Sequence, residues 1–193
     1  MAREKYEFKP DNVGTGLLSK LYLTKKQRQA LLKWLLYALV LLVLLVLQDV
    51  LLSKLDVFGA TTDLVSTAIL LICLLQGAEI GGVFTLISSV LFLFSGSAPG
   101  PYIVVFMTAY GVLTAIFRQA FLRKGFGSMA LCTAGALLLY ELSVFAMALF
   151  LEYTYFSRIG SFLMTWLLSL AAIPLLYPVL ASIGKIGGET WKE

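Results

Sequence analysis

The chain has 193 residues, of which 60% are hydrophobic and only 13% are charged, with a net charge of +4 and a mean hydropathy of +0.90. A soluble domain usually carries about 25% charged residues, so this composition excludes an ordinary water-soluble protein and indicates that lipid is the solvent. The lack of histidine removes the commonest general base and transition-metal ligand. The basic residues flank apolar stretches, which disfavours nucleic acid as a partner and favours an anionic membrane surface.

Residues 1–33 form a polar, basic segment that contains eight of the lysine and arginine residues. We expect this segment to lie in the cytoplasm and to contact anionic lipids. Thr24 and Gln27 fit a capping box, so the first helix is predicted to begin near Lys25. Its apolar span begins near Trp34 and is expected to stay in the membrane as a signal anchor, because no small-residue cleavage site follows it.

Six apolar stretches follow, and a helix needs roughly 20 apolar residues to cross the hydrocarbon layer. Because polar, glycine and proline residues separate these stretches, we predict an all-α, polytopic membrane protein with six transmembrane helices. The predicted spans cover about residues 34–52, 64–75, 80–94, 101–121, 128–151 and 161–183. They form one membrane domain over residues 34–183, and residues 184–193 follow as a cytoplasmic tail.

The distribution of basic residues predicts that both ends of the chain are cytoplasmic. With that orientation the inner segments hold thirteen of the 15 lysine and arginine residues, and the outer loops hold only Lys54 and Arg158. The positive-inside rule separates the two orientations clearly.

Glu141 is the ionisable residue placed well inside a predicted span. A charge at that depth costs about 2.5–3.5 kcal/mol on insertion scales, so we expect the side chain to face the protein interior or to be protonated. It is a candidate for a polar contact in a central cavity or at a partner interface. The structural alternative is a hydrogen bond to another helix, for example to Ser169 or Thr67.

Two other carboxylates, Asp63 and Glu79, lie at the predicted starts of the second and third spans. The positive end of the helix dipole stabilises a carboxylate there by about 0.3–1 kcal/mol. Both are candidates for a polar cavity or an interface, although helix capping alone accounts for their positions.

Small residues recur every four positions along the third span and lie on one ridge of the helix: Gly77, Gly81, Thr85 and Ser89. Such a ridge lets a neighbouring backbone approach closely. The neighbour is either another helix of the same chain or a helix of a partner.

The turn before the fourth span is a candidate outer feature, and it contains Ser95, Gly96, Gly100 and Pro101. Pro101 suits the first position of a helix. In the sixth span Pro174 and Pro178 each remove a backbone hydrogen bond, so we predict a kink there.

Paired carboxylates, a metal-ligand cluster and a phosphate-binding glycine loop do not occur at recognisable spacing in this sequence. We therefore predict no catalytic residue, no metal and no cofactor. A membrane enzyme is the least favoured class of function.

Several short motifs, taken in order and spacing, give the chain a resemblance to the MreD family of rod-shape-determining membrane proteins. The resemblance covers about residues 34–184. The motifs are Thr62-Asp63-Leu64, Leu75-Gln76-Gly77, Gly81-Gly82-Val83-Phe84, the turn over residues 95–100, Ala109-Tyr110, Leu139-Tyr140-Glu141-Leu142 and Pro174-Leu-Leu-Tyr177-Pro178. The chain departs from the family pattern at Thr62, where proline is usual, at Phe92, where aspartate is frequent, and at Ser88 or Ser89, where the family has a glycine.

The resemblance implies a non-enzymatic scaffold of the bacterial cell-elongation machinery in the cytoplasmic (inner) membrane. Its implied partners are a single-pass MreC-like protein, an actin-like MreB protein, and the peptidoglycan synthase and transpeptidase that elongate the cell. The implied fold is similar to the substrate-binding subunit of energy-coupling-factor transporters. A vitamin-binding subunit of such a transporter is accordingly the alternative function.

Overall fold

The computed structural model describes residues 25–50, 60–96, 98–122 and 125–186. This part of the chain is all-helical, as predicted. Its helices are α1 (Lys25–Val50), α2 (Leu64–Gln76), α3 (Ala78–Phe94), α4 (Tyr102–Phe121), α5 (Phe126–Phe150) and α6 (Ile159–Gly184), and a short 3₁₀ turn over Phe156–Arg158 leads into α6. The predicted capping residue Thr24 and the loop over residues 51–59 lie outside the described residues.

Within the described residues, four segments are long and apolar enough to cross a membrane: Gln27–Val50, Tyr102–Phe121, Phe126–Phe150 and Phe156–Gly184. Their apolar side chains are widely exposed, as expected where a helix faces lipid. The chain thus has the helices of a multi-pass membrane protein. The other two predicted spans are helices as well, but α2 has only 13 residues and α3 has 17.

The short helix α2 is the centre of the bundle and packs against all five other helices. Eleven of its 13 residues are buried. A helix that is apolar and buried on every side belongs to the interior of a protein. At about 1.5 Å per residue it is about 20 Å long, which is well short of the roughly 30 Å hydrocarbon thickness. Its first residue, Leu64, is half-buried and its last, Gln76, is buried.

The turn between α2 and α3 consists of Gly77 alone, whose φ is +92°. Glycine reaches this left-handed region without the steric cost that a Cβ atom imposes. The turn brings α3 back along α2, and at Gly81 the two backbones touch. A Cβ atom built on Gly81 would lie 2.5 Å from the carbonyl oxygen of Cys73.

Three polar side chains from α1 and α4 close the C-terminal end of α2. The Arg118 Nη1 atom donates to the carbonyl oxygen of Leu74 at 2.6 Å, and Lys33 Nζ donates to Gln76 Oε1 at 2.9 Å. The Tyr37 hydroxyl accepts a bond from Gln76 Nε2 at 2.8 Å. Since the C-terminal end of a helix carries partial negative charge, both cations also have the sign that stabilises it.

We expect Gly81→Ala to lower the free energy of unfolding by about 1–3 kcal/mol, because the new methyl group meets a backbone carbonyl that cannot rotate away. Thermal unfolding of the purified protein in detergent measures the change. Gly135→Ala is the matched control, since no heavy atom lies within 4 Å of its added Cβ. That variant should be neutral or slightly stabilised, because alanine is the better helix former. Equal unfolding temperatures for the two variants would contradict the close packing of α2 and α3.

Tyr37→Phe should cost about 1–3 kcal/mol of stability, because it removes the hydroxyl that bonds both Gln76 and the carbonyl oxygen of Leu180. Tyr153→Phe removes the same hydroxyl from a side chain that is 75% exposed and should leave the unfolding temperature unchanged. A Tyr37→Phe variant as stable as the Tyr153→Phe control would show that the hydrogen bonds at the C-terminal end of α2 contribute nothing.

Candidate functional site

A cavity of about 280 Å³ lies at the N-terminal end of α2. Its lining comes from α1, α3, α5, α6 and the loops before α2 and α4. The lining residues are Gln48, Thr61, Asp63, Phe92, Pro99, Tyr140, Glu141, Val144, Ala148, Ser161, Phe162 and Thr165. This volume is just below the roughly 300–1,000 Å³ of typical small-molecule pockets, so the space suits only a ligand of a few non-hydrogen atoms.

The cavity exists because α2 begins deeper in the bundle than α6. The Ser169 hydroxyl of α6 bonds the backbone of Asp63, the residue just before α2. Ser169 lies ten residues after Ile159, where α6 begins, so α6 extends past the start of α2 by about 15 Å. The space above the short helix is flanked by α6 and by α5, which contributes Tyr140 and Glu141.

Asp63 is the N-cap of α2. Its Oδ1 atom accepts a hydrogen bond from the backbone N–H of Ser66 at 3.0 Å, and its own N–H donates to Ser169 Oγ at 2.9 Å. The Thr67 hydroxyl donates to the carbonyl oxygen of Asp63 at 2.6 Å. Gln48 of α1 accepts a bond from the N–H of Val65 at 2.9 Å. Polar side chains of α1 and α6 thus satisfy backbone groups that the start of a buried helix leaves open.

Glu141 differs from Asp63 because it bonds nothing in the described part of the chain. The residue is only 6% exposed, and it lines the cavity. Neither of the two expected partners is available: Ser169 donates to the carbonyl oxygen of Thr165 and accepts from Asp63, while Thr67 donates to Asp63. The structure shows no hydrogen bond from Glu141 to either residue, which the structural alternative named as examples. Its carboxyl group lines the cavity, and no described residue donates a hydrogen bond to it.

The ionisable side chains of lysine, arginine, aspartate and glutamate type in the described lining are all acidic. The lining includes two carboxyl groups, and no lysine or arginine is among the described residues that form it. Hydroxyl and amide oxygens supply further acceptors, and aromatic rings form part of the wall: Phe92, Tyr140 and Phe162. The described residues contain no group of three or more histidine, cysteine, aspartate or glutamate side chains that could hold a metal ion. The arrangement suits a hydrogen-bond donor or a cation with a carbon skeleton.

The ridge of small residues on α3 faces inward, against α2. Gly77 and Gly81 are buried at the turn and at the helix contact, and both hydroxyl residues are fully buried. Thr85 donates to the carbonyl oxygen of Gly81 at 2.8 Å and Ser89 to that of Leu86 at 3.0 Å. In this structure the ridge serves packing within the chain. Glu79 is exposed in the first turn of α3, at the opposite end of the molecule from the cavity.

The remaining candidates lie in the turn before α4 and in α6. Ser95 ends α3 with a hydrogen bond to the carbonyl oxygen of Phe92, and Gly96 has a φ of +82°. Gly100 packs against the Tyr102 ring, and Pro101 lies at the N-cap position, one residue before the predicted one. Pro174 and Pro178 are exposed, and α6 continues through both without a break in its assignment.

Several cavity residues were not singled out from the sequence. Ser161 and Thr165 lie four apart in the first turns of α6, a spacing that places both on one face of the helix. Gln48 is a polar residue at the end of an apolar helix, and this position could have marked it in the sequence as a candidate site residue. Tyr140 carries no such signal, because tyrosine is common among apolar residues.

Searches of protein-family models, of curated proteins and of solved structures found no match to this chain.

Proposed function

We propose that the chain is a non-enzymatic membrane scaffold of the bacterial cell-elongation machinery, with six spans in the inner membrane and both ends in the cytoplasm. The observation that carries this proposal is the ordered set of MreD-like motifs over residues 34–184. In this reading α2 is a short span enclosed by the other helices, α3 is a short span with one exposed apolar face, and the positive-inside distribution of lysine and arginine sets the orientation. The fold would then be similar to that of energy-coupling-factor substrate-binding subunits.

The positions of the motif residues support a scaffold role. Asp63 caps α2, Gly81 makes the contact between α2 and α3, and Ser95 ends α3. Each of these residues fixes where a helix begins, ends or packs. A protein that works by presenting helix faces to partners depends on such positions more than on reactive groups.

The partners follow from the resemblance. A single-pass MreC-like protein would dock on the membrane-embedded helices, and an MreB-like cytoskeletal protein would assemble on the cytoplasmic side. The peptidoglycan synthase and transpeptidase would join the same assembly, and the basic N-terminal segment would contact anionic lipids.

Depletion and affinity purification test this function together. In a rod-shaped bacterium that carries the chain, depletion should widen the cells and disperse wall insertion. The C-terminally tagged protein, solubilised gently from native membranes, should co-purify an MreC-like protein or the wall synthases. A tagged polytopic protein of unrelated function is the control. Normal cell width after depletion, together with a purification that yields none of these proteins, would exclude the scaffold.

Photo-crosslinking should locate the docking face. A photoreactive amino acid is placed at one outward position on each of five helices: Leu39, Val83, Val105, Leu131 and Leu175, all of which are exposed. Docking predicts that the MreC-like protein is captured from adjacent helices only, whereas a lipid-facing position captures lipid. Leu137 is fully buried and serves as the matched control that captures neither. Equal capture of this protein from all five positions would argue against a defined face.

A vitamin-binding subunit of an energy-coupling-factor transporter is the second candidate, and the cavity at the N-terminal end of α2 is the observation that favours it. That function predicts co-purification of a transmembrane coupling subunit with paired ATPases. It also predicts tight binding of a vitamin to the purified chain. Either result would replace the scaffold proposal.

A further inference from the structure

Glu141 is a buried ionisable side chain that the packing of the described helices does not account for. Asp63 caps α2, but Glu141 lies within α5, where the helix satisfies its own backbone. When it is ionised, its carboxyl group offers only acceptor positions, and the described part of the chain donates no hydrogen bond to it. A buried acceptor is stabilised by a donor, and more so by a charged one. Among the described residues, the lining of the cavity supplies no positively charged donor to Glu141.

The shape of the cavity selects among the possible donors. At about 280 Å³ it has room for several non-hydrogen atoms, and Phe92, Tyr140 and Phe162 line part of it. Aromatic faces attract organic cations, and apolar walls accommodate the carbon atoms that such cations carry. A bare metal ion would leave most of this space and all of the apolar wall unused.

We propose that this cavity is a binding site for a small molecule that carries a protonated primary amine. The ammonium group donates to the Glu141 carboxylate, and the nearby Asp63 carboxylate adds a second negative charge. An ammonium group has three donors, and the hydroxyl groups of Ser161 and Thr165 offer neutral acceptors for the remaining ones. The apolar part of the molecule lies along the aromatic wall.

The amine has two possible sources, a free amine in solution or the headgroup of an aminophospholipid. The cavity lies between the end of α1, the turn before α4 and the start of α6, that is, at one end of the bundle. A site there is within reach of both the aqueous phase and a lipid headgroup. The proposal does not rest on the scaffold function, and it is tested on the purified chain without partners.

The test is a binding measurement on the full chain in nanodiscs made only of phosphatidylglycerol, with n-butylammonium as the probe and n-butanol as its uncharged analogue. Saturation-transfer NMR and titration should show binding of n-butylammonium and no binding of n-butanol. Glu141→Gln keeps the shape of the side chain and removes its charge, so it should weaken n-butylammonium binding at least tenfold. Glu152→Gln is the matched control, because it removes the same charge from an exposed residue just after α5 and should leave binding unchanged.

A second variant keeps the test decisive if Glu141→Gln does not fold. Asp63→Asn removes the other charge but preserves the cap, since asparagine and aspartate cap helices about equally well. It should also weaken n-butylammonium binding, by a smaller factor. Nanodiscs that contain phosphatidylethanolamine then separate the two sources. Competition by this lipid identifies a headgroup, and undiminished n-butylammonium binding identifies a free amine.

Three results would overturn the proposal. They are no binding of n-butylammonium to the unaltered chain, equal binding of n-butylammonium and n-butanol, and binding that is unchanged in both the Glu141→Gln and Asp63→Asn variants. None of these results bears on co-purification of wall-synthesis proteins, so the scaffold proposal stands or fails separately.

Discussion

The structure depends on the enclosure of α2, a 13-residue helix that is too short to reach from one membrane surface to the other. A helix whose ends lie in a protein interior leaves backbone donors at its start and carbonyl groups at its end without water to bond them. Other helices supply the missing partners. Gln48 and Ser169 bond the start of α2, and Arg118 bonds a carbonyl group at its end. The charges also have the signs that the helix dipole favours, with Asp63 at the start and cations at the end.

The short length of α2 also explains the cavity. Because α2 begins deep in the bundle, α5 and α6 extend past its start, and their side chains face a space that the backbone of the described residues does not fill. At the opposite end a single glycine, Gly77, turns the chain directly into α3, so that no comparable recess forms among the residues described there. The asymmetry between the two ends of α2 therefore explains why the unsatisfied carboxylate and the aromatic wall are found at the N-terminal end.

Local patterns in the sequence predicted the helices to within a few residues, and Asp63 at the start of α2 was recognisable as a capping residue. The partners of α2 were not predictable, because they come from distant parts of the chain: Ser169 lies 106 residues from Asp63, and Arg118 lies 44 residues from Leu74. A hydrogen bond between Glu141 and Ser169, one example of the structural alternative, is not formed for the same reason. The hydroxyl group is used by the backbone of Asp63, and only the three-dimensional arrangement reveals that competition.

The presence of an acidic residue at positions 63 and 141 therefore has two different explanations. Replacing Asp63 by a residue that cannot cap would leave backbone donors of α2 open, so the stability of the fold accounts for it. Glu141 supports no backbone group, and burying a charge without a partner is destabilising. The contacts of the described residues thus do not account for a carboxyl group at residue 141, whereas the proposed ammonium ligand would.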